Sequence, residues 1–296
     1  MRVITEKSTF QSQGTNCAAT LHLPSGEGPF PAILMAHGWG GVQDALTIPF
    51  YPQFINAGYA VMTFDYRGWG KSEGKPRQTI DPLKREEDIE AALSHLHSIA
   101  KINPNKIVLW GTSFGGGHAI CVAARHPELL GLIAQVPMLD GITAVTATPL
   151  TRLIRFGLYA GIDLLRGSNP LYIPVVSAPG HFSSMDRDGA EKAMQQAIEV
   201  MEDGYDNRVA ARSLLKMGPY RPFKVLKQIR IPTLIVGATK DSVAPFAEEK
   251  IRAVGNPSIK IETLDANHFD PYLEPAFSQN IGYQLKFLET LVNDRT

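Results

Sequence analysis

One stretch of the chain constrains the fold more than any other: residues 106–118, Lys-Ile-Val-Leu-Trp-Gly-Thr-Ser-Phe-Gly-Gly-Gly-His. Five residues rich in β-formers run into Gly-Thr-Ser-Phe-Gly, and small and apolar residues continue to Ala124 at helical spacing. The pattern reads as strand, sharp turn and helix, with Ser113 at the turn of a G-x-S-x-G nucleophile elbow. A strand-to-helix reversal this tight forces the serine into a strained backbone, and side chains at 111 and 115 would collide with neighbouring elements. The hydroxyl is thereby lifted above the sheet at the positive end of a helix. A plain glycine-rich turn would also carry the five residues, but it would not need the flanking strand and helix.

The rest of the chain supplies a sheet for this elbow. Residues 2–10 and 16–23 alternate apolar and polar side chains, which predicts an antiparallel hairpin at a sheet edge. Ala32–Ala36, Tyr59–Phe64, 106–110, Gly131–Val136, Pro232–Val236 and Ser258–Leu264 are short apolar runs of the kind buried on both faces. Helical patterns at 47–57, 83–99, 245–254 and 275–292 separate them. The expected fold is therefore α/β: a mostly parallel eight-stranded sheet with helices on both faces. From Gly141 to Arg221 no strand reads; 150–165, 187–202 and 207–217 look helical, and 169–181 is irregular. The expected organisation is an α/β core, 1–140 and 222–296, carrying a helical cap insertion, 141–221.

Composition excludes several partners. Lys plus Arg and Asp plus Glu both total 29, so no basic surface for nucleic acid or an anionic membrane is expected. Two cysteines, Cys17 and Cys121, are no disulfide framework and suit a reducing compartment. Residues 1–10 lack an apolar core of signal-peptide length, and no run of about 18 apolar residues occurs, so the expected location is cytoplasmic.

A serine hydroxyl is a weak nucleophile and needs a base, itself oriented by an acid. Among eight histidines, His268 follows the strand 258–264 directly, at the sheet edge where open α/β sheets gather ligand-handling groups. His37 ends a strand but precedes glycines that point to a backbone role, and His118 faces into the core along the elbow helix. His95, His97 and His126 read as surface residues, while His22 and His181 lie at no parallel strand end. Asp241 ends strand 232–236 and gives the order Ser, Asp, His; Asp140, after strand 131–136, competes for the same role. Two backbone N–H groups should meet the developing oxyanion, from Phe114 and from Trp39 in His-Gly-Trp-Gly-Gly, 37–41. Arg67 reads as a loop-tying arginine rather than a substrate contact, and Cys121 lies too deep in the helix to react. No metal-ligand spacing and no phosphate-cradling loop occurs, so neither metal nor cofactor is expected.

With these residues in order, the chain resembles the α/β-hydrolase superfamily outside 141–221. Residues 65–74, Asp-Tyr-Arg-Gly-Trp-Gly-Lys-Ser-Glu-Gly, and 109–118 make it similar to dienelactone-hydrolase-like and acetyl-xylan-esterase-like esterases and to fungal polyketide transferases. Dienelactone hydrolases proper carry cysteine at the position of Ser113, epoxide hydrolases and haloalkane dehalogenases carry aspartate, and prolyl peptidases add a propeller for which there is no room. The resemblance implies a serine hydrolase acting on a small-molecule ester or thioester through an acyl-enzyme. An acyltransferase with the same residues, or a non-catalytic binding protein on the same scaffold, are the alternatives. In the insertion, Leu153, Ile154, Leu158, Ile162 and Leu165 gather on one helix face, expected either to pack on the core or to roof the site.

Overall fold

The apolar runs form the centre of one large sheet. The structure, a computed structural model, describes residues 3–45, 47–199, 201 and 204–293. Within these, the elements run β1 (Ile4–Ser12), β2 (Thr15–Leu23), β3 (Phe30–Ala36), α1 (Tyr51–Asn56), β4 (Ala60–Phe64), α2 (Pro82–Ser98), β5 (Ile102–Thr112), α3 (Phe114–Ala123) and β6 (Gly131–Gln135). They continue through α4 (Gly141–Thr146), α5 (Leu150–Leu165), β7 (Tyr172–Pro174), α6 (Ala190–Glu199), β8 (Arg208–Ala210), β9 (Thr233–Ala238), α7 (Glu248–Ala253), β10 (Ile259–Leu264) and α8 (Ala276–Asn293). The expected ends at Arg2 and Glu202 lie outside the described residues.

Eight of the described strands pair in the order β1-β2-β4-β3-β5-β6-β9-β10. β1 and β2 are antiparallel, β2 lies antiparallel on β4, and every later pair is parallel. Alternate residues of β3 feed opposite cores. Leu34 and Ala36 pack with Leu93 and Leu96 of α2 and Ile120 of α3, whereas Ile33 and Met35 pack with Phe54 of α1 and Leu288 and Leu291 of α8. Burial on both faces is what a continuously apolar strand sequence requires. The parallel strands all end at one edge, where the loops at 37–41, 136–140, 239–245 and 265–269 meet the elbow.

The 141–221 segment departs from the expectation in its secondary structure. It holds a two-stranded antiparallel ladder, β7 with β8, and the expected 207–217 helix is replaced by β8 and a 3₁₀ turn at Ala211–Lys216. Three-residue strands are too short for their periodicity to show in sequence. Asp163 anchors α5 to this turn: its buried carboxylate accepts from the amides of Leu171 (2.6 Å) and Arg212 (2.7 Å) and from the Arg212 guanidinium.

Candidate active site

Ser113 occupies the turn between β5 and α3 with φ 55° and ψ −124°. That region costs a residue with a side chain on the order of 1–3 kcal/mol, so its surroundings must hold it. The Ser113 amide donates to the Gln135 carbonyl (2.9 Å), and the Ser113 carbonyl accepts from Met138 N–H (2.9 Å). The elbow glycines are there for space: a Cβ on Gly115 would stand 2.4 Å from the carbonyl oxygens of both Ala36 and His37, and one on Gly111 2.4 Å from that of Gly115. Beneath the elbow lies a buried polar network that sequence reading missed. Gln135 donates to Thr112 Oγ1 (3.2 Å), while its Oε1 accepts from Asn280 (2.6 Å) and Gln284 (2.9 Å), and Trp110 donates to Gln284 (2.8 Å). Asn280 and Gln284, one helical turn apart on α8, were the available signal.

The structure brings Ser113, His268 and Asp241 into one hydrogen-bonded chain. His268 Nε2 lies 2.9 Å from Ser113 Oγ, and His268 Nδ1 lies 2.6 Å from Asp241 Oδ2. With the proton on Nδ1, that nitrogen donates to the carboxylate and leaves Nε2 to accept from the hydroxyl. All three residues are buried. The second carboxylate oxygen of Asp241 accepts from the amides of Val243 (2.8 Å) and Ala244 (2.7 Å), which fixes its orientation. The His268 loop is closed by reciprocal bonds: Asn267 Oδ1 accepts from Phe269 N–H (2.8 Å), and Asp270 Oδ2 from Asn267 N–H (2.8 Å).

Asp140 is placed elsewhere. It caps α4 through the Ile142 amide (2.9 Å) and pairs with Arg221 (2.7 Å). Partial burial disfavours its charge, but Arg221 and the helix amides more than offset this and hold its carboxyl below the usual range.

Phe114 N–H is the first amide of α3, and Trp39 N–H lies in the loop after β3. Among the described residues neither amide has a hydrogen-bond partner. The loop approaches the serine closely: a Cβ on Gly38 would stand 2.9 Å from Ser113 Cβ and 3.1 Å from the Thr112 carbonyl. The Trp39 ring meets Phe114 edge-on at 5.3 Å, and its indole N–H donates to Ser184 Oγ (3.0 Å).

The other singled-out residues do not reach the serine. His37 and His118 are fully enclosed. Burial first, and then the Arg85 charge, push both imidazoles well below their usual value. His118 Nδ1 bonds the Tyr220 hydroxyl (2.8 Å). His22 is buried and stacked on Tyr51, His95, His97 and His126 are half-buried, and His181 is exposed. Arg67 ties the loop after β4 to α2 through Glu87, Asp88 and the Lys84 carbonyl. Burial raises the Cys121 thiol to about 12, which leaves it protonated and unreactive.

A cavity of about 310 Å³ opens beside Ser113. Trp39, Phe114 and Met138 line it from one side, and Leu153, Phe156, Met185, Leu214 and Met217 from the 141–221 segment. Arg152 and Asp186, paired with each other, and Arg187 supply its charged groups. The expected apolar stripe of α5 is corrected here. Of the stripe, Leu153 lines the cavity, whereas Ile154 (63%), Leu158 (60%), Ile162 and Leu165 (90%) are exposed, so most of the stripe neither packs on the core nor faces the site. The face turned inward is set instead by Ala160 and Asp163, both fully buried.

Among the described residues no three His, Cys, Asp or Glu side chains gather as a metal site requires, and no helix is long and apolar enough to cross a membrane. The sequence matches the family described as serine aminopeptidase, S33, over residues 27–265. It is 36% identical over 288 residues to the quorum-quenching protein AidA of Acinetobacter baumannii (strain MDR-ZJ06), spanning 96% of this chain and 94% of that one. With the thiohydrolase aneE of Aspergillus aculeatus it shares 28% identity over 281 residues, 90% of this chain and 87% of that protein. The solved structure of the α/β hydrolase GrgF from Penicillium sp. sh18 superposes with a TM-score of 0.76 at 24% identity, covering 98% and 99% of the two chains.

Proposed function

The chain belongs to the α/β-hydrolase family of the serine aminopeptidase S33 type, and from that premise we propose that it cleaves a small-molecule carboxylic ester or thioester through an acyl-enzyme. The observation that carries this reading is the Ser113–His268–Asp241 chain, with contacts of 2.9 and 2.6 Å. Ser113 Oγ attacks the carbonyl carbon while His268 Nε2 takes its proton. Asp241 steadies the imidazolium, and the proton then passes to the departing alcohol or thiol. Water enters, gives its proton to His268, and releases the acid from the serine. The Trp39 and Phe114 amides hold the negative oxygen in both halves.

The 141–221 segment acts as a cap that shapes the acyl pocket, and the apolar lining favours an alkyl or aryl acyl group. Asp186, the carboxylate of that lining, is already engaged by Arg152, which argues against a protonated amine as the group bound there. The thiohydrolase among the relatives supports thioesters as substrates. Acyl transfer to an alcohol or amine is the second reading. It is favoured by the largely apolar cavity, which limits water, and by the relative named polyketide transferase. The two free cysteines suit a reducing cytoplasm.

The test is a fluorophosphonate probe together with p-nitrophenyl esters of graded length. Labelling is expected at Ser113 alone, and Ser113→Ala should abolish it and lower kcat about 10⁶-fold, as loss of a nucleophile does. Labelling that survives in the variant overturns the reading. Transfer outrunning hydrolysis at millimolar acceptor selects the second one.

A further inference from the structure

Among the described residues Arg85 is the one fully buried arginine. It lies on α2 at 2% exposure, and two of its guanidinium nitrogens, Nε and Nη2, have no hydrogen-bond partner among the described residues. The guanidinium packs over the rings of Tyr66 (4.4 Å) and Trp69 (5.2 Å). Its hydrogen bond runs from Nη1 to the carbonyl oxygen of Gly38, at 3.0 Å. A buried charge without a carboxylate in contact is costly to keep, and each unpaired nitrogen adds to that cost. Such a group needs an explanation beyond packing.

The explanation lies in the peptide that it holds. The Gly38 carbonyl and the Trp39 N–H belong to one peptide unit, and that unit is trans. In a planar trans peptide the C=O and N–H point in opposite directions. Arg85 draws the carbonyl into the protein interior at 3.0 Å, and two donors of the loop itself, the Gly41 amide and His37 Nδ1, reach the same oxygen at 3.3 Å. The N–H is thereby directed away from Arg85. At this point the loop touches Ser113, since a Cβ on Gly38 would stand 2.9 Å from Ser113 Cβ, and Trp39 lines the Ser113 cavity. Glycine at 38, 40 and 41 makes the loop backbone permissive, and of the three donors on the carbonyl Arg85 is the nearest and the one that comes from outside the loop.

We propose that Arg85 is a positioning residue for the oxyanion site, locking the Gly38–Trp39 peptide with its N–H toward Ser113 and polarising that N–H as a donor. The proposal rests on the acyl-enzyme reading and deepens it. The cation acts through the peptide and never touches substrate. Its charge strengthens the donor at the moment when negative charge develops on the carbonyl oxygen, which is where preorganised electrostatics contribute most. Burial lowers the Arg85 pKa to about 10, so the side chain remains charged at neutral pH.

The test compares Arg85→Met, Arg85→Lys, Arg67→Met and Ser113→Ala. Three quantities are read for each: kcat on a p-nitrophenyl ester, inhibition by an alkylboronic acid, and inhibition by the planar carboxylate of the same chain. The boronate forms a tetrahedral adduct on the serine and so reports the oxyanion site, whereas the carboxylate reports the pocket. Arg85→Met is expected to lower kcat about 10²-fold, the loss typical of one missing oxyanion donor, and to weaken the boronate by a similar factor while the carboxylate binds as before. Arg85→Lys, which keeps the charge, should recover part of both, and it carries the test if Arg85→Met does not fold. Arg67→Met removes the arginine that ties the loop after β4 to α2, without touching Gly38, and should leave the boronate-to-carboxylate ratio unchanged. Wild-type boronate affinity in both Arg85 variants, with Ser113→Ala inactive, overturns the role of Arg85 and leaves the hydrolase reading standing. Equal losses of boronate and carboxylate binding also overturn it, as a merely structural effect. Full activity in Ser113→Ala overturns the hydrolase reading, and the Arg85 role falls with it.

Discussion

Asp241 Oδ2 lies 2.6 Å from His268 Nδ1, whereas the other strand-ending carboxylate, Asp140, is committed to Arg221 and to the first amides of α4. The two acids therefore have separable consequences. In the proposed mechanism Asp241→Asn leaves the imidazole in the wrong tautomer, and kcat should fall on the order of 10⁴-fold with folding intact. Asp140→Asn should stay within about tenfold in kcat and cost less than about 1–2 kcal/mol, since asparagine still caps a helix. Steady-state kinetics beside thermal melts check this, and the reverse ranking would give the orienting role to Asp140.

Space at residue 38 governs the approach of the oxyanion loop to the nucleophile. Gly38→Ala puts a methyl group 2.9 Å from Ser113 Cβ, so loop or elbow must shift. A displacement approaching 1 Å at reacting groups costs on the order of 10²-fold in rate, and that is the loss expected in kcat. Gly161→Ala is the contrast. It lies in α5 with nothing within 4 Å of the added Cβ, and it should raise stability by about 0.5–1 kcal/mol without changing kcat. Unaltered kcat in Gly38→Ala would show that the loop does not take part.

Acyl-chain preference tests the cavity. Each methylene buried is worth about 0.8 kcal/mol, roughly fourfold in kcat/KM, until the space is full. The cavity of about 310 Å³ is finite, so the rise should end in an optimum chain length. Leu153→Trp should shift the optimum toward shorter esters, while Leu158→Trp, at a position 60% exposed, should leave it where it is. An unchanged optimum in Leu153→Trp would remove the cavity from the acyl pathway.

Buried histidines make stability pH-dependent. Burial lowers His22 from the usual 6.5 to about 4, and His37 and His118 are lowered in the same sense. Between those two values the unfolded chain binds the proton that folded His22 refuses. Its contribution is therefore complete above 6.5 and is lost as pH falls toward 4, at up to about 1.4 kcal/mol per pH unit. Asp65, Glu86 and Asp88, raised by burial, work in the opposite direction, so the informative quantity is a difference between proteins. His22→Phe should gain on the wild type in urea midpoint as pH drops from 7 to 4.5. A constant difference across that range would contradict the shift.

The core strands, the elbow and the chain order Ser113, Asp241, His268 were legible in the sequence because local physics sets each of them. Two-sided burial writes a continuously apolar run, a reversal at positive φ demands glycines on either side, and a parallel strand ends where a polar loop begins. The geometry that joins the three residues needed the whole sheet, since 155 positions separate Ser113 from His268. Other features were decided only by tertiary contacts. Most of the apolar stripe of α5, all but Leu153, is turned outward, because the buried Asp163, held by Arg212 and the Leu171 amide, fixes the rotation of the helix. Arg85 is hidden in a run of charges, Lys-Arg-Glu-Glu-Asp, that reads as solvated surface. It is buried because α2 packs over the sheet and sets Tyr66, Trp69 and the Gly38 carbonyl around that one side chain. Periodicity tells where a helix forms and how apolar each side is; which side faces in is settled by specific bonds between residues far apart in the chain.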